Sequence, residues 1–220
     1  MTQAIAKSEL MTLEEFLDWY PQDGNRYELH KGVIVKMQPT GTHEQVIIFL
    51  TVEFGVEKKR LQLPYLPSTG CLIKSINAEN SGFTPDIAVL DGNALKAENP
   101  PRPPFERREL NEQMWKKRST ITKGESVKLA VEVVSTNWRD DYAMKVVEYE
   151  NLGIAEYWIV DYLGLGGRRF LGNPKQPTIF VYEMVDGEYE VKMFRGSDRI
   201  ESSIFPELNL TAEQIFEAGG

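Results

Sequence analysis

Residues 127–161 read V-K-L-A-V-E-V-V-S-T-N-W-R-D-D-Y-A-M-K-V-V-E-Y-E-N-L-G-I-A-E-Y-W-I-V-D. Val127 to Val134 is a nearly unbroken β-branched run, the pattern of a strand buried on both faces, and only Glu132 interrupts its apolar centre. Ser135-Thr136-Asn137 can cap a helix, Trp138 to Leu152 gives about four turns, and Gly153 suits the left-handed residue that closes one. Glu156 to Asp161 then reads as a second strand. A crossover of this length between two strands predicts that they pair in parallel, and so an α/β core.

The flanking sequence extends this core in both directions. Towards the N-terminus, Phe83 to Leu90 (F-T-P-D-I-A-V-L) and Pro64 to Ile76 read as strands separated by the turn-forming stretch Asn77 to Gly82. The apolar segment Thr42 to Arg60 is too long for one strand and predicts a helix, with Thr42 and Gln45 as a capping box and Lys58, Lys59 and Arg60 at its negative end. Arg26 to Met37 predicts a β-hairpin turning near Gly32, and Met11 to Tyr20 a short entry helix capped by Thr12. Beyond Asp161, Thr178 to Val185 and Glu188 to Phe194 predict a second hairpin around Asp186-Gly187, and a Thr211–Gln214 capping box opens a terminal helix. The stretch from about 91 to 126 has no sustained period, contains N-P-P-R-P-P and is expected to be an excursion with at most one helix.

A chain of 220 residues can bury one sizeable core, so a single domain over residues 1–220 is expected. The lone cysteine, Cys71, leaves no internal disulfide or cysteine cluster for zinc and predicts a reducing, cytoplasmic setting. No signal-peptide pattern or membrane-length apolar run is present. A net charge of −8 argues against nucleic-acid binding by bulk attraction. Recruitment of phosphate through a divalent cation on carboxylates stays compatible with it.

An ionised side chain inside a buried strand is costly unless it is paired or binds a cation. Asp86, after Pro85 at the head of I-A-V-L, and Glu132, inside L-A-V-E-V-V, are the two such acids. On neighbouring strands they could share one Mg²⁺, with the Val133 carbonyl as a main-chain ligand and phosphodiester hydrolysis as the chemistry. The alternative is that Asp86 caps a turn and Glu132 forms a structural ion pair.

The order P-D-I-A-V-L, L-A-V-E-V-V-S, then D-D-Y-A-M-K-V-V-E-Y-E-N-L-G-I-A-E-Y-W-I-V-D resembles the Uma-type family of restriction-endonuclease-like proteins in the PD-(D/E)XK superfamily. The likeness begins near Tyr27-Glu28-Leu29, takes in Gly32 and His43, and continues to the terminal hairpin. It implies a restriction-endonuclease-like fold with a mixed central sheet flanked by helices, extra hairpins at both ends, and Mg²⁺ or Mn²⁺ as cofactor with DNA as substrate. One position departs from the motif: Val134 stands where the third-strand lysine belongs.

Lys128 cannot replace that lysine, because four residues of strand displace it by roughly 13 Å. Lys145, about 10 Å along the following helix, is the position at which the family carries a lysine, and the resemblance implies that it assists the attacking water. Asp141 lies four residues before it and could equally make a simple helical ion pair. Tyr149 on the same face reads as packing. Glu28 could add a third carboxylate or be an exposed strand acid; His43 could contact phosphate or water, or be a capping residue.

In the excursion, Arg102, Arg107, Arg108, Lys116, Lys117, Arg118, Lys123 and Trp115 could form a DNA-contacting arm, although Glu106, Glu109 and Glu112 dilute the charge. A metal-dependent endonuclease is the first functional expectation. A non-catalytic module that keeps the fold for binding nucleic acid or protein is the second. A homodimer is compatible with the fold class, and no membrane association is expected.

Overall fold

Two mixed sheets, both flanked by helices, carry the fold. The computed structural model describes residues 3–5, 10–38, 40–99 and 110–220. Among these, the central sheet runs edge to edge as β12 (Glu188–Phe194), β11 (Thr178–Val185), β10 (Glu156–Asp161), β9 (Val127–Val133), β7 (Ile87–Asp91) and β4 (Tyr65–Ser68). β9 and β10 are parallel, as the crossover demanded, while β7 and β11 pair antiparallel on either side of them. The second sheet runs β1 (Gln3–Ile5), β3 (Val33–Met37), β2 (Arg26–His30), β6 (Gly82–Phe83), β5 (Leu72–Lys74) and β8 (Thr120–Ile121).

Alternation along the strands decides which residues meet which layer. Leu129, Val131 and Val133 of β9, with Ile87 and Val89 of β7, face α2 (Gly41–Arg60) and pack on Val46, Ile47, Leu50 and Phe54. Those helical positions recur at three- and four-residue intervals, the apolar stripe of an amphipathic helix. Burying each such Leu or Phe contributes on the order of 1.5–3 kcal/mol. The opposite face, with Ala130 of β9 and Ile159 of β10, packs on Tyr149 of α5 (Lys145–Asn151) and on Cys71, Ile73 and Ile121 at the second sheet. Glu132 shares the parity of Ala130 and therefore points towards α5, not α2. Cys71 is a buried free thiol that burial pushes up to about 12, so it packs as a small apolar residue.

Most elements form where the sequence pattern placed them. The first hairpin turns with Lys31 and Gly32 both at positive φ, the second with Asp186 and Gly187 likewise. Thr12 and Thr211 both form complete capping boxes, on α1 (Leu13–Trp19) and α7 (Ala212–Glu217). Among the described residues, no helix is long and apolar enough to cross a membrane.

Several expectations are corrected. The N-cap of α2 is Thr40, whose hydroxyl accepts from the His43 N–H, whereas Thr42 is already inside the helix and bonds the Tyr162 hydroxyl. Pro64 to Ile76 does not form one strand: it breaks at Thr69-Gly70 into β4 and β5, which belong to different sheets. Phe83 to Leu90 likewise divides between β6 and β7, because Pro85 has no N–H to give a ladder. The excursion carries two helices, α3 (Gly92–Glu98) and α4 (Leu110–Arg118), and then β8. Asp91 caps α3 by accepting from the Asn93 and Ala94 N–H groups; Asp-Gly-Asn reads as a turn, and a seven-residue helix is too short to display a period. Arg102, Arg107 and Arg108 lie outside the described residues. Finally, the helix over β9 is not regular throughout: Asp140–Met144 is a π-turn, a wide turn often found at functional sites, leading into α5.

One contact fixes where α5 stands relative to β9. Gly124, just before β9, lies so close to the Leu152 carbonyl at the end of α5 that an added Cβ would overlap it. Gly124→Ala is therefore expected to destabilise the protein by about 1–3 kcal/mol or more, read as a lower urea midpoint. An unchanged midpoint would mean that the helix can shift freely over the sheet.

Candidate active site

The antiparallel register of β7 and β9 pairs Ile87 with Val131, so one step further brings Asp86 level with Glu132. With Pro85 ending the ladder there, a side chain replaces the backbone: the Val133 N–H donates to Asp86 Oδ2 at 2.8 Å. His43, from the first turn of α2, reaches the same corner. Its Nε2 lies 2.7 Å from the Val133 carbonyl, which can only accept, so Nε2 carries the hydrogen, and it also stands 3.3 Å from Asp86 Oδ2. Nδ1 of His43 is buried without a partner among the described residues. Arg26 faces the other oxygen, Asp86 Oδ1, at 3.5 Å and Glu44 at 3.6 Å.

Lys145 enters from the helix side. Its ammonium, 1% exposed, lies 3.0 Å from Glu132 Oε1, 3.2 Å from Glu28 Oε1 and 3.5 Å from Asp141 Oδ1. These are ion pairs; Nζ aligns a directional hydrogen bond with none of them. Tyr149, read from the sequence as packing, is fully buried and also donates its hydroxyl to Glu132 Oε1 at 3.1 Å. Both partners of Glu132 thus take Oε1, and Oε2 has no partner among the described residues. Glu28 is buried rather than an exposed strand acid; it accepts from the Thr84 N–H at 2.9 Å and meets His30 Nε2 at 2.7 Å.

Three carboxylates surround one fully enclosed ammonium, and the imbalance shows in their protonation. Burial pushes the Glu132 carboxyl well above its usual range; Lys145 opposes this, while Asp141, Asp86 and Glu28 add to it. Asp141 rises to about 7, chiefly through burial, with Lys145 pulling the other way. For Glu28, burial is outweighed by Lys145, His30 and the Thr84 N–H, which hold it at about 2. Burial works against the Lys145 charge, but Glu132, Glu28 and Asp141 overcome it and keep the ammonium protonated. His43 behaves similarly: burial lowers its pKa, yet the Asp86 carboxylate raises it further.

A cleft of about 20 Å³ opens onto this cluster, lined by Asp86, Glu132, Asp141, His43, Val133 and Arg26 among others. That is room for one or two water-sized groups. Lys145 and Glu28 do not line it; Lys145 meets it through Glu132 and Asp141, and Glu28 through Thr84. Among the described residues, no three His, Cys, Asp or Glu side chains converge on one metal position. Lys128, set aside on distance, pairs with Asp91 at 3.3 Å, away from the cleft.

The structure thus gathers Asp86, Glu132, Val133, His43, Glu28 and Lys145, all singled out from the sequence. It adds Asp141, Arg26 and His30. Asp141 carried one legible signal, its i,i+4 spacing to Lys145, but spacing alone could not tell an exposed pair from a buried one. Arg26 gave none, because its nearness to Asp86 comes from packing the second sheet on the first; His30 lies two residues from Glu28 on the same face of β2, a spacing with no meaning until Glu28 is known to be buried.

The α/β core, with its acids at the ends of adjacent strands and a helical lysine behind them, defines a restriction-endonuclease-like architecture. The chain belongs to the Uma2 family, described as "Putative restriction endonuclease", whose model matches residues 13–213. That membership supports a nuclease-like function. A crystal structure described as "a putative nuclease belonging to DUF820", from Anabaena variabilis ATCC 29413, has the same fold: TM-score 0.65 at 17% identity, covering 95% of this chain and 99% of that one. No curated protein matches.

Proposed function

We propose that this chain is a divalent-metal-dependent endonuclease that hydrolyses DNA phosphodiester bonds, working in the cytoplasm. The observation that carries the reading is that Asp86 and Glu132 each anchor one oxygen within the protein and line one cleft, Glu132 Oε2 having no partner among the described residues and Asp86 Oδ1 only Arg26 at 3.5 Å. The donor set fits a divalent cation. Burial makes Glu132 and Asp141 resist ionisation beyond what Lys145 offsets, and a Mg²⁺ or Mn²⁺ ion would supply the further positive charge. Two carboxylates, with the second lone pair of the Val133 carbonyl, suffice for Mg²⁺, which normally keeps several waters. When bound, such an ion neutralises a phosphate and lowers the pKa of a water.

The chain's own residues do the remaining work. Lys145 holds Glu132 and Asp141 in place and keeps positive charge beside the position a water would take at Glu132. His43 fixes the Asp86–Val133 corner by donating to the carbonyl. Arg26, half-exposed at the mouth, is placed to receive a phosphate oxygen once Asp86 engages the cation. Calorimetric titration with Mg²⁺ or Mn²⁺ tests the assignment, with Asp86→Ala expected to abolish the binding heat. Because the ion competes with protons on Asp141 and Glu132, affinity should rise as pH increases through about 7 and level off above it. Binding that survives Asp86→Ala, or that ignores pH between about 6 and about 8.5, would sink the metal assignment.

A second reading, a non-catalytic module that keeps the fold to bind nucleic acid, is favoured by Val134 in the motif position and by Lys145 lying behind the acids. It predicts oligonucleotide binding with no metal heat and no plasmid nicking.

A further inference from the structure

Residues 163–170, L-G-L-G-G-R-R-F, take no part in the cleft, yet they are built tightly onto the helix that carries Asp141. Asp161 organises the loop: Leu165 and Gly166 donate their N–H groups to its two oxygens at 2.8 Å each, and the Tyr142 hydroxyl donates at 2.9 Å. A Cβ at Gly166 would press within 2.8–3.0 Å of Asp161 and Tyr142, and one at Gly167 within 3.0 Å of the Trp138 ring. The glycine pair therefore permits a close approach that no other residues allow. It delivers α6 (Arg168–Leu171) so that Phe170 stacks 4.5 Å from Tyr142 and 6.4 Å from Trp138.

Arginines stand on this aromatic cluster. The Arg139 guanidinium lies 4.7 Å over Trp138 and that of Arg169 4.4 Å over Phe170, with Arg168 beside it in the chain; all three are exposed. None forms an ion pair or hydrogen bond with a described residue, although the chain carries a net charge of −8. Acids close by in the chain do not neutralise them: Asp161 is taken up by the loop and Tyr142, and Asp140 pairs with none of them. A cation held over a ring keeps its edge N–H donors free, whereas a carboxylate partner would occupy them. Such a guanidinium is preset to take a phosphate in bidentate fashion. The cluster also adjoins the cleft, since Asn137, next to Trp138 in the chain, and Asp141, three residues or about 4.5 Å further along the helix, both line it.

We propose that Arg139, Arg168 and Arg169, set on the Trp138–Phe170 ledge, grip the phosphodiester backbone of the DNA strand beside the phosphate held in the cleft. The proposal rests on the endonuclease reading for its substrate, and it resolves how an acidic protein would hold a polyanion: by a local cationic ledge instead of its overall field.

The test is fluorescence anisotropy of the full-length protein with a labelled DNA duplex, without divalent metal, across a salt series. The Arg139→Ala/Arg168→Ala/Arg169→Ala variant is expected to bind at least about tenfold more weakly, with a salt slope reduced by about 2–3, near 0.9 per lost phosphate contact. Its Mg²⁺ titration should match the parent's, and Lys59→Ala, on α2, should leave DNA affinity unchanged. The proposal is overturned if the triple variant binds with the parent's affinity and slope, if the parent does not bind DNA, or if Lys59→Ala weakens binding equally. It is also overturned if the variant loses affinity for phosphatidylserine vesicles but not for DNA. The two readings fail separately. DNA binding through these arginines with no metal uptake overturns the catalytic assignment and leaves this one standing; metal uptake without DNA binding does the reverse.

Discussion

The Lys145→Met protein is expected to lose about 3–5 kcal/mol of stability near pH 8, as when one partner of a buried ion pair is removed. It should recover part of that loss as the pH falls. The sign follows from Glu28, which is held at about 2 against an ordinary value of 4.5. Its stabilising contribution is fully present above 4.5 and fades as pH drops towards 2. With the ammonium gone, burial governs Glu28, Glu132 and Asp141 together, and their charged forms become the unfavourable ones. Between about pH 8 and about pH 5 acid then relieves the variant at all three carboxyls, whereas the parent keeps the full Glu28 contribution and gains only at Asp141 and Glu132. Urea midpoints at about pH 8 and about pH 5 measure this; a loss equal at both would mean that Lys145 contributes packing alone. Plasmid nicking should fall by about a hundredfold or more.

Glu132→Gln is expected to behave in the opposite way. The carboxyl there is forced up by burial and by three neighbouring acids. A neutral side chain of the same shape removes that repulsion and keeps a carbonyl oxygen for Lys145 and Tyr149 to address. The metal-free melting temperature should therefore rise near pH 8, while Mg²⁺ heat and nicking disappear. Such an exchange of activity for stability is the mark of a site strained for chemistry. If the variant instead melts several degrees lower, Glu132 is a structural ion-pair partner and the cleft has been misread.

The sequence revealed the parts of this arrangement that sit on long elements. The β9–α5–β10 unit, α2 and the C-terminal hairpin were legible because each spans enough residues to display its period or its turn. The second sheet was legible only in its β2–β3 hairpin. Its strands β5, β6 and β8 are two or three residues long, shorter than any alternation that could identify them. The same shortness hid the break of Pro64 to Ile76 between two sheets. At the site, Asp86 and Glu132 stood out as charges in apolar strands, and Lys145 through the family likeness. The burial of Glu28 could not be read, because it depends on β2 folding back over α5. Nor does anything in D-D-Y-A-M signal a π-turn.

Val134, where a strand lysine was expected, is 1% exposed and packs in the same cluster as Tyr142 and Tyr149. The space beside Glu132 on the α5 face is therefore filled with hydrocarbon, and the lysine reaches the acids from that helix. Lys145 and its carboxylates face one another through a medium of low polarisability, reached by solvent only along the narrow cleft at Glu132 and Asp141. Ionic strength should accordingly govern how a charged strand is captured at the protein surface and leave the forces inside the site almost untouched.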